Sequence, residues 1–137
     1  MELRRPTLAD RETVLEMMAE FEKVQSAHGG IFWDAENFSY EEWLESNRDK
    51  EMGINLHENR VPSIQFVSFN DIGRAPGFLN LRLRLNEGVL NYAGHIGYSI
   101  RPSERGKCYA KETLRQGLQV AKEKNIKRTL VTCSVNN

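Results

Sequence analysis

One stretch limits what this chain can fold into. In Gly94-His95-Ile96-Gly97-Tyr98-Ser99-Ile100-Arg101-Pro102-Ser103-Glu104-Arg105-Gly106-Lys107-Cys108-Tyr109-Ala110, an alternating strand runs into a basic turn and then into helical spacing. Ile96, Tyr98 and Ile100 share one face of a two-residue repeat, and His95, Gly97 and Ser99 share the other. Pro102 ends the strand. Past the turn, Tyr109, Thr113, Leu114, Gly117, Leu118 and Ala121 mark one face of a helix that closes at Lys122, Lys124 and Asn125, a basic end suited to the helix dipole. Amides in the turn and the first helical turn have no intrahelical partner. With the positive end of the dipole and the side chains of Arg105 and Lys107 beside them, they favour a phosphate or pyrophosphate. Neither the Gly-Lys-Ser/Thr of an NTPase loop nor a three-glycine dinucleotide pattern occurs.

A chain of 137 residues is one domain and buries roughly two thirds of its unfolded surface. Its 19 basic and 19 acidic residues cancel, so no global field recruits nucleic acid or an anionic membrane, and charge must act locally. Cys108 and Cys133 are too few for a secreted disulfide framework and lack the spacing and histidine partners of a zinc site. No metal is expected, and a reducing cytoplasm is the expected setting. The amino terminus has no apolar run behind Arg5, and no window approaches a membrane span, so neither a secretory signal nor a membrane partner is expected.

In chain order, Leu3-Arg4-Arg5 reads as a strand closed by Pro6. Thr7 with Asp10 starts a helix that runs to about Lys23. Residues 25–33 read as a loop. Ser39 with Glu42 is a second capping box, opening a helix that stops near Gly53. From Val61 the period becomes two, giving strands over 63–69 and 78–85 in an antiparallel hairpin. Leu79, Leu81, Leu83 and Leu85 are expected to face the core, with Asn80, Arg82 and Arg84 solvated. Residues 128–133 form the last strand, parallel to the central one because a helix connects them.

Arg105-Gly106-Lys107-Cys108-Tyr109-Ala110 resembles the acetyl-CoA loop of the GNAT superfamily of acyl-CoA N-acyltransferases, whose pattern is Arg/Gln-x-x-Gly-x-Gly/Ala. The preceding Ile96-Gly97-Tyr98 and Arg101-Pro102 strengthen the likeness. Cys108 departs from it, standing where the family usually has a glycine that allows close backbone approach to the pyrophosphate. The likeness is weak before Val61 and good from Gly77 to Asn137. It implies an α/β (α+β) fold with a mixed, mostly antiparallel sheet and helices on both faces, forming a single domain over residues 1–137. It also implies an acetyl-CoA-dependent N-acetyltransferase acting on a primary amine of a small molecule or protein. The cofactor-binding residues it implies are Ile100, Arg105, Gly106, Lys107, Cys108, Tyr109, Ala110 and Asn137. Family members continue with a further helix and two strands, so the domain is expected to be incomplete at its C-terminus. The strand over 128–133, unpaired on one side, would then invite association with another chain, a homodimer among the options.

Direct acetyl transfer needs a base for the ammonium, amides to polarise the thioester and an acid for the thiolate. His95 stands where many relatives carry a glutamate base, and imidazole titrates near neutral pH. Glu87 and Tyr92 are alternates. Trp33, Glu87 and Tyr92 are the candidate acceptor-binding residues; His28 and Trp43 could line the pocket with Trp33, although aromatics on amphipathic elements are more often core. The alternative function is a truncated, catalytically impaired CoA-binding or interaction module, favoured by Cys108 and the short carboxyl end.

Overall fold

The structure is a computed structural model that describes residues 1–23, 38–54, 56, 61–84, 95–126 and 131–132. Strand β1 (Glu2–Arg4) leads to Thr7, whose amide and hydroxyl donate to the Asp10 carboxylate at 2.8 and 3.1 Å. This box first closes a single 3₁₀ turn, Leu8–Asp10, and the helix α1 proper spans Arg11–Lys23. Ser39 Oγ accepts from the Glu42 amide at 3.4 Å and opens α2 (Tyr40–Met52), which ends at Gly53. Both helix starts therefore follow from short polar side chains that satisfy amides left without carbonyl partners.

Strands β2 (Ser63–Phe69), β3 (Gly77–Arg82) and β4 (Ile96–Ile100) follow, then a 3₁₀ turn (Pro102–Glu104), α3 (Tyr109–Glu123) and β5 (Val131–Thr132). The sheet order is β1-β2-β3-β4-β5, antiparallel throughout except for the parallel β4–β5 pair. Alternation splits its side chains between two cores. On one face Val67, Phe69 and Phe78 pack against Val14, Met17, Met18 and Phe21 of α1 and Tyr40 and Trp43 of α2. On the other, Ile64, Phe66, Leu79, Leu81 and Ile96 pack against Ala121 and Leu114 of α3. Helices thus cover both faces, and all of β2 is buried where the sequence suggests a half-exposed alternation.

Several expectations change because the sheet is covered twice. Asn80 is half-buried: its Nδ2 donates to Gln65 Oε1 at 3.2 Å and Ser63 Oγ at 3.4 Å. Arg82 is half-buried and closes β3, three residues before the expected end; Leu85 lies outside the described residues. Trp43 is a core residue, its ring 5.6 Å from that of Tyr40 and 6.1 Å from that of Phe38. Leu118 is 40% exposed, because the buried stripe of α3 centres on Thr113, Gly117 and Ala121 and leaves Leu118 at its rim. Of the last strand, only Val131 and Thr132 are described, paired with Ile96 and Gly97. Among the described residues, no helix is long and apolar enough to cross a membrane.

Close approach of α3 to the sheet depends on Gly117, where a Cβ would lie 2.6 Å from Leu79 Cδ1, a side chain with no exposure. Gly117→Val should therefore lower stability by about 2 kcal/mol through overpacking, despite the better helix propensity of valine. Urea unfolding measures it.

Candidate functional site

The end of β4 is anchored by a buried cation. Arg101 is 1% exposed. Its Nη1 donates to Glu16 Oε1 at 2.9 Å and its Nε to Glu20 Oε1 at 3.0 Å, while Nη2 pairs with the second Glu16 oxygen. Both carboxylates sit on α1, four residues apart, so the guanidinium bridges two like charges that would otherwise repel. The Ser103 amide and hydroxyl add hydrogen bonds to Glu20 at 2.8 and 2.6 Å, and Arg74 Nη2 donates to Ser103 Oγ at 2.9 Å.

Burial alone would raise the Glu20 pKa. The hydrogen bonds from Ser103 and Arg101 outweigh it and hold the carboxyl at about 2. Glu16 is likewise held low, chiefly by its hydrogen bond from Arg101. Both folded-state values lie below the ordinary 4.5, so the stability they contribute is complete above that pH and is lost as pH falls towards about 2. Arg101→Leu should cost about 2 kcal/mol at pH 7, because it removes the cation hydrogen-bonded to both carboxylates while Glu16 stays half exposed and Glu20 keeps its bonds from Ser103. The penalty should shrink near pH 2. Urea unfolding of both proteins across this range checks the sign.

From this anchor the chain turns through Pro102–Glu104 into the basic loop. Arg105 Nε donates to the Ile100 carbonyl at 2.9 Å, tying the loop back to β4. Gly106 and Cys108 both adopt left-handed backbone, with φ of 80° and 67°. Cys108 is the residue before α3 and offers no side-chain cap, so the helix amides keep their outward donors. Asn70 Nδ2 donates to the Tyr109 hydroxyl at 3.4 Å, pinning the first turn of α3 to the β2–β3 connection.

A cleft of about 230 Å³ opens here, lined by Tyr98, Ile100, Glu104, Arg105, Gly106, Cys108, Tyr109 and Ala110. It lies where β4 runs on past Gly97, the last position described as paired with β5. Six of the sequence-predicted residues meet in it: Ile100, Arg105, Gly106, Cys108, Tyr109 and Ala110. Lys107 does not line it. Its ammonium instead sits 3.2 Å from Glu104 Oε2. His95 is half-buried at the start of β4, on the face of Gly97 and Ser99 and opposite Tyr98 and Ile100 of the cleft. Burial pushes its pKa below the ordinary 6.5. Trp33, Glu87, Tyr92 and Asn137, like His28 and Cys133, lie outside the described residues.

Sequence reasoning missed the anchor. Its signal is the pair Glu16 and Glu20, like charges at i and i+4 that need a cation, together with an arginine at a strand end. Glu104 as a lining residue has no such signal.

The family model described as an acetyltransferase (GNAT) domain matches residues 1–137. The chain belongs to the GNAT family. No curated protein matches it. Membership supports acetyltransferase activity in general, and the mixed α/β architecture with its parallel β4–β5 pair is that of a GNAT fold.

The family's loop glycine has a backbone reason in this GNAT chain. A side chain at the left-handed φ of Cys108 costs about 1 kcal/mol that glycine does not. Cys108→Gly should therefore raise stability by about 1 kcal/mol in urea unfolding.

Proposed function

We propose that residues 1–137 form a single N-acetyltransferase domain that moves the acetyl group of acetyl-CoA to a primary amine of a small molecule or protein. One observation supports this reading most directly: the cleft at the uncapped N-terminus of α3, lined by six residues of the expected cofactor set. The residues present fit the cofactor. Among the described residues, no atom lies within 4 Å of where a Cβ on Gly106 would stand, so the backbone is open to an approaching pyrophosphate. Tyr98 and Ile100 supply an apolar wall for the pantetheine arm, and Arg105, the Lys107 amide and Asn137 complete the set. Acetyl-CoA supplies an activated thioester carbonyl.

His95 takes the proton from the acceptor ammonium in this reading, and Trp33, Glu87 and Tyr92 bind the acceptor. Burial lowers its pKa from the ordinary value, which favours the neutral imidazole that a base requires. Gly97, two residues along the same face, leaves room beside it for an amine. A reducing cytoplasm suits the exposed Cys108 thiol.

The test is calorimetric titration with CoA, followed by thiol release from acetyl-CoA over a panel of amines and amino-terminal peptides. His95→Gln should lower turnover by about a hundredfold with little change in CoA affinity. The acid limb of the wild-type rate profile should fall below the ordinary histidine value and disappear in the variant. Near-normal turnover of His95→Gln across pH would leave His95 a structural histidine. A second reading, a CoA-binding module without turnover, is favoured by the Cys108 side chain in the cleft lining. Saturable CoA binding with no thiol release from any amine would assign the chain to it.

A further inference from the structure

The phosphate end of the cleft contains a carboxylate, the wrong charge for the ligand proposed there. Glu104 lines the cleft and is 7% exposed. Two cations attend it. Lys107 Nζ stands 3.2 Å from Oε2, and Arg74 Nε stands 2.9 Å from Oε1 but makes no hydrogen bond with it. Arg74 is also drawn towards α1, with Nη2 3.5 Å from Glu20 Oε1 and bonded to Ser103. Lys107 therefore supplies the hydrogen-bonded counter-charge of the buried carboxylate from the solvent side, its own side chain 58% exposed.

We propose that Glu104 sets the affinity of this site for the CoA pyrophosphate by holding the Lys107 ammonium back from it. The proposal rests on the acetyl-CoA reading and adds a positioning residue to it. A pyrophosphate draws on the Lys107 charge only by displacing it from Glu104, which leaves the buried carboxylate with Arg74 as its ion-pair partner and brings two anions together. The gain from Lys107 is then small. Without the carboxylate, the ammonium is available in full and the local repulsion is gone.

The experiment is calorimetric titration of CoA into the full chain carrying Glu104→Gln, Glu104→Asp, Lys107→Ala or the Glu104→Gln/Lys107→Ala pair, at two salt concentrations. Glu104→Gln should bind CoA about fivefold tighter, with an affinity that falls more steeply as salt rises. Glu104→Asp, which keeps the charge, should stay near wild type. Lys107→Ala should weaken binding about threefold in the wild-type background and about tenfold or more beside Glu104→Gln, a coupling that a merely structural role for Glu104 would not produce. Equal penalties in the two backgrounds, or no tightening in Glu104→Gln, would overturn the proposal. Should Glu104→Gln fail to fold, Lys107→Ala alone decides: a loss of about threefold supports the proposal, and one above about tenfold overturns it. Absence of CoA binding in the wild type would instead overturn the acetyl-CoA reading, and the role of Glu104 with it.

Discussion

A guanidinium buried as deeply as that of Arg101 must be matched by carboxylates, and the rest of the site depends on where those carboxylates stand. Glu16 and Glu20 come from α1, the first helix, while Arg101 follows the fourth strand. Their pairing fixes the carboxyl end of β4 against α1 across more than eighty residues of chain. An apolar contact of the same volume could hold the two elements together as strongly. It would not set the direction in which the chain leaves the strand, because apolar packing has no preferred angle. Three donors of one planar group aimed at two carboxylates do set it, and Ser103 extends the same cluster into the following turn.

The loop beyond the anchor is locally unfavourable. Cys108 holds a backbone conformation that side chains other than glycine resist, and the N-terminus of α3 has no side-chain cap. Both features persist because neighbouring contacts leave the loop little choice. Arg105 ties it to the Ile100 carbonyl, Tyr109 is pinned by Asn70, and Gly117 lets α3 settle against Leu79. The result, among the described residues, is a helix start without a side-chain cap beside an open cleft, an arrangement that suits an anionic ligand.

β4 also divides the chemistry. Tyr98 and Ile100 turn to the cleft and the α3 side, whereas His95, Gly97 and Ser99 turn to the side of α1 and α2. In the proposed reaction, cofactor and acceptor therefore approach one strand from its two faces. This division follows directly from the two-residue repeat of a strand, and it keeps the basic loop apart from the imidazole that must stay neutral.

Much of this was legible in the sequence wherever the governing interaction is local. Thr7 with Asp10 and Ser39 with Glu42 mark helix starts because cap and partner lie three residues apart. The alternation from Ile96 to Ile100 assigns faces, and the run from Arg105 to Ala110 identifies the loop and the family. Where several elements meet, the sequence was less informative. It suggested that Asn80 is solvated and that Trp43 is a candidate pocket residue, because the period of one strand or helix does not reveal whether a second layer covers it. Lys107 was expected to face the phosphate, and only the packed structure shows it beside Glu104. Taken alone, then, the sequence determined the elements, their faces and the place of the loop, all set by contacts within a few residues. Only the tertiary structure decided which charges are buried together: the energy of Arg101 between Glu16 and Glu20, and of Glu104 beside Lys107, depends on burial and on distances that no spacing along the chain encodes.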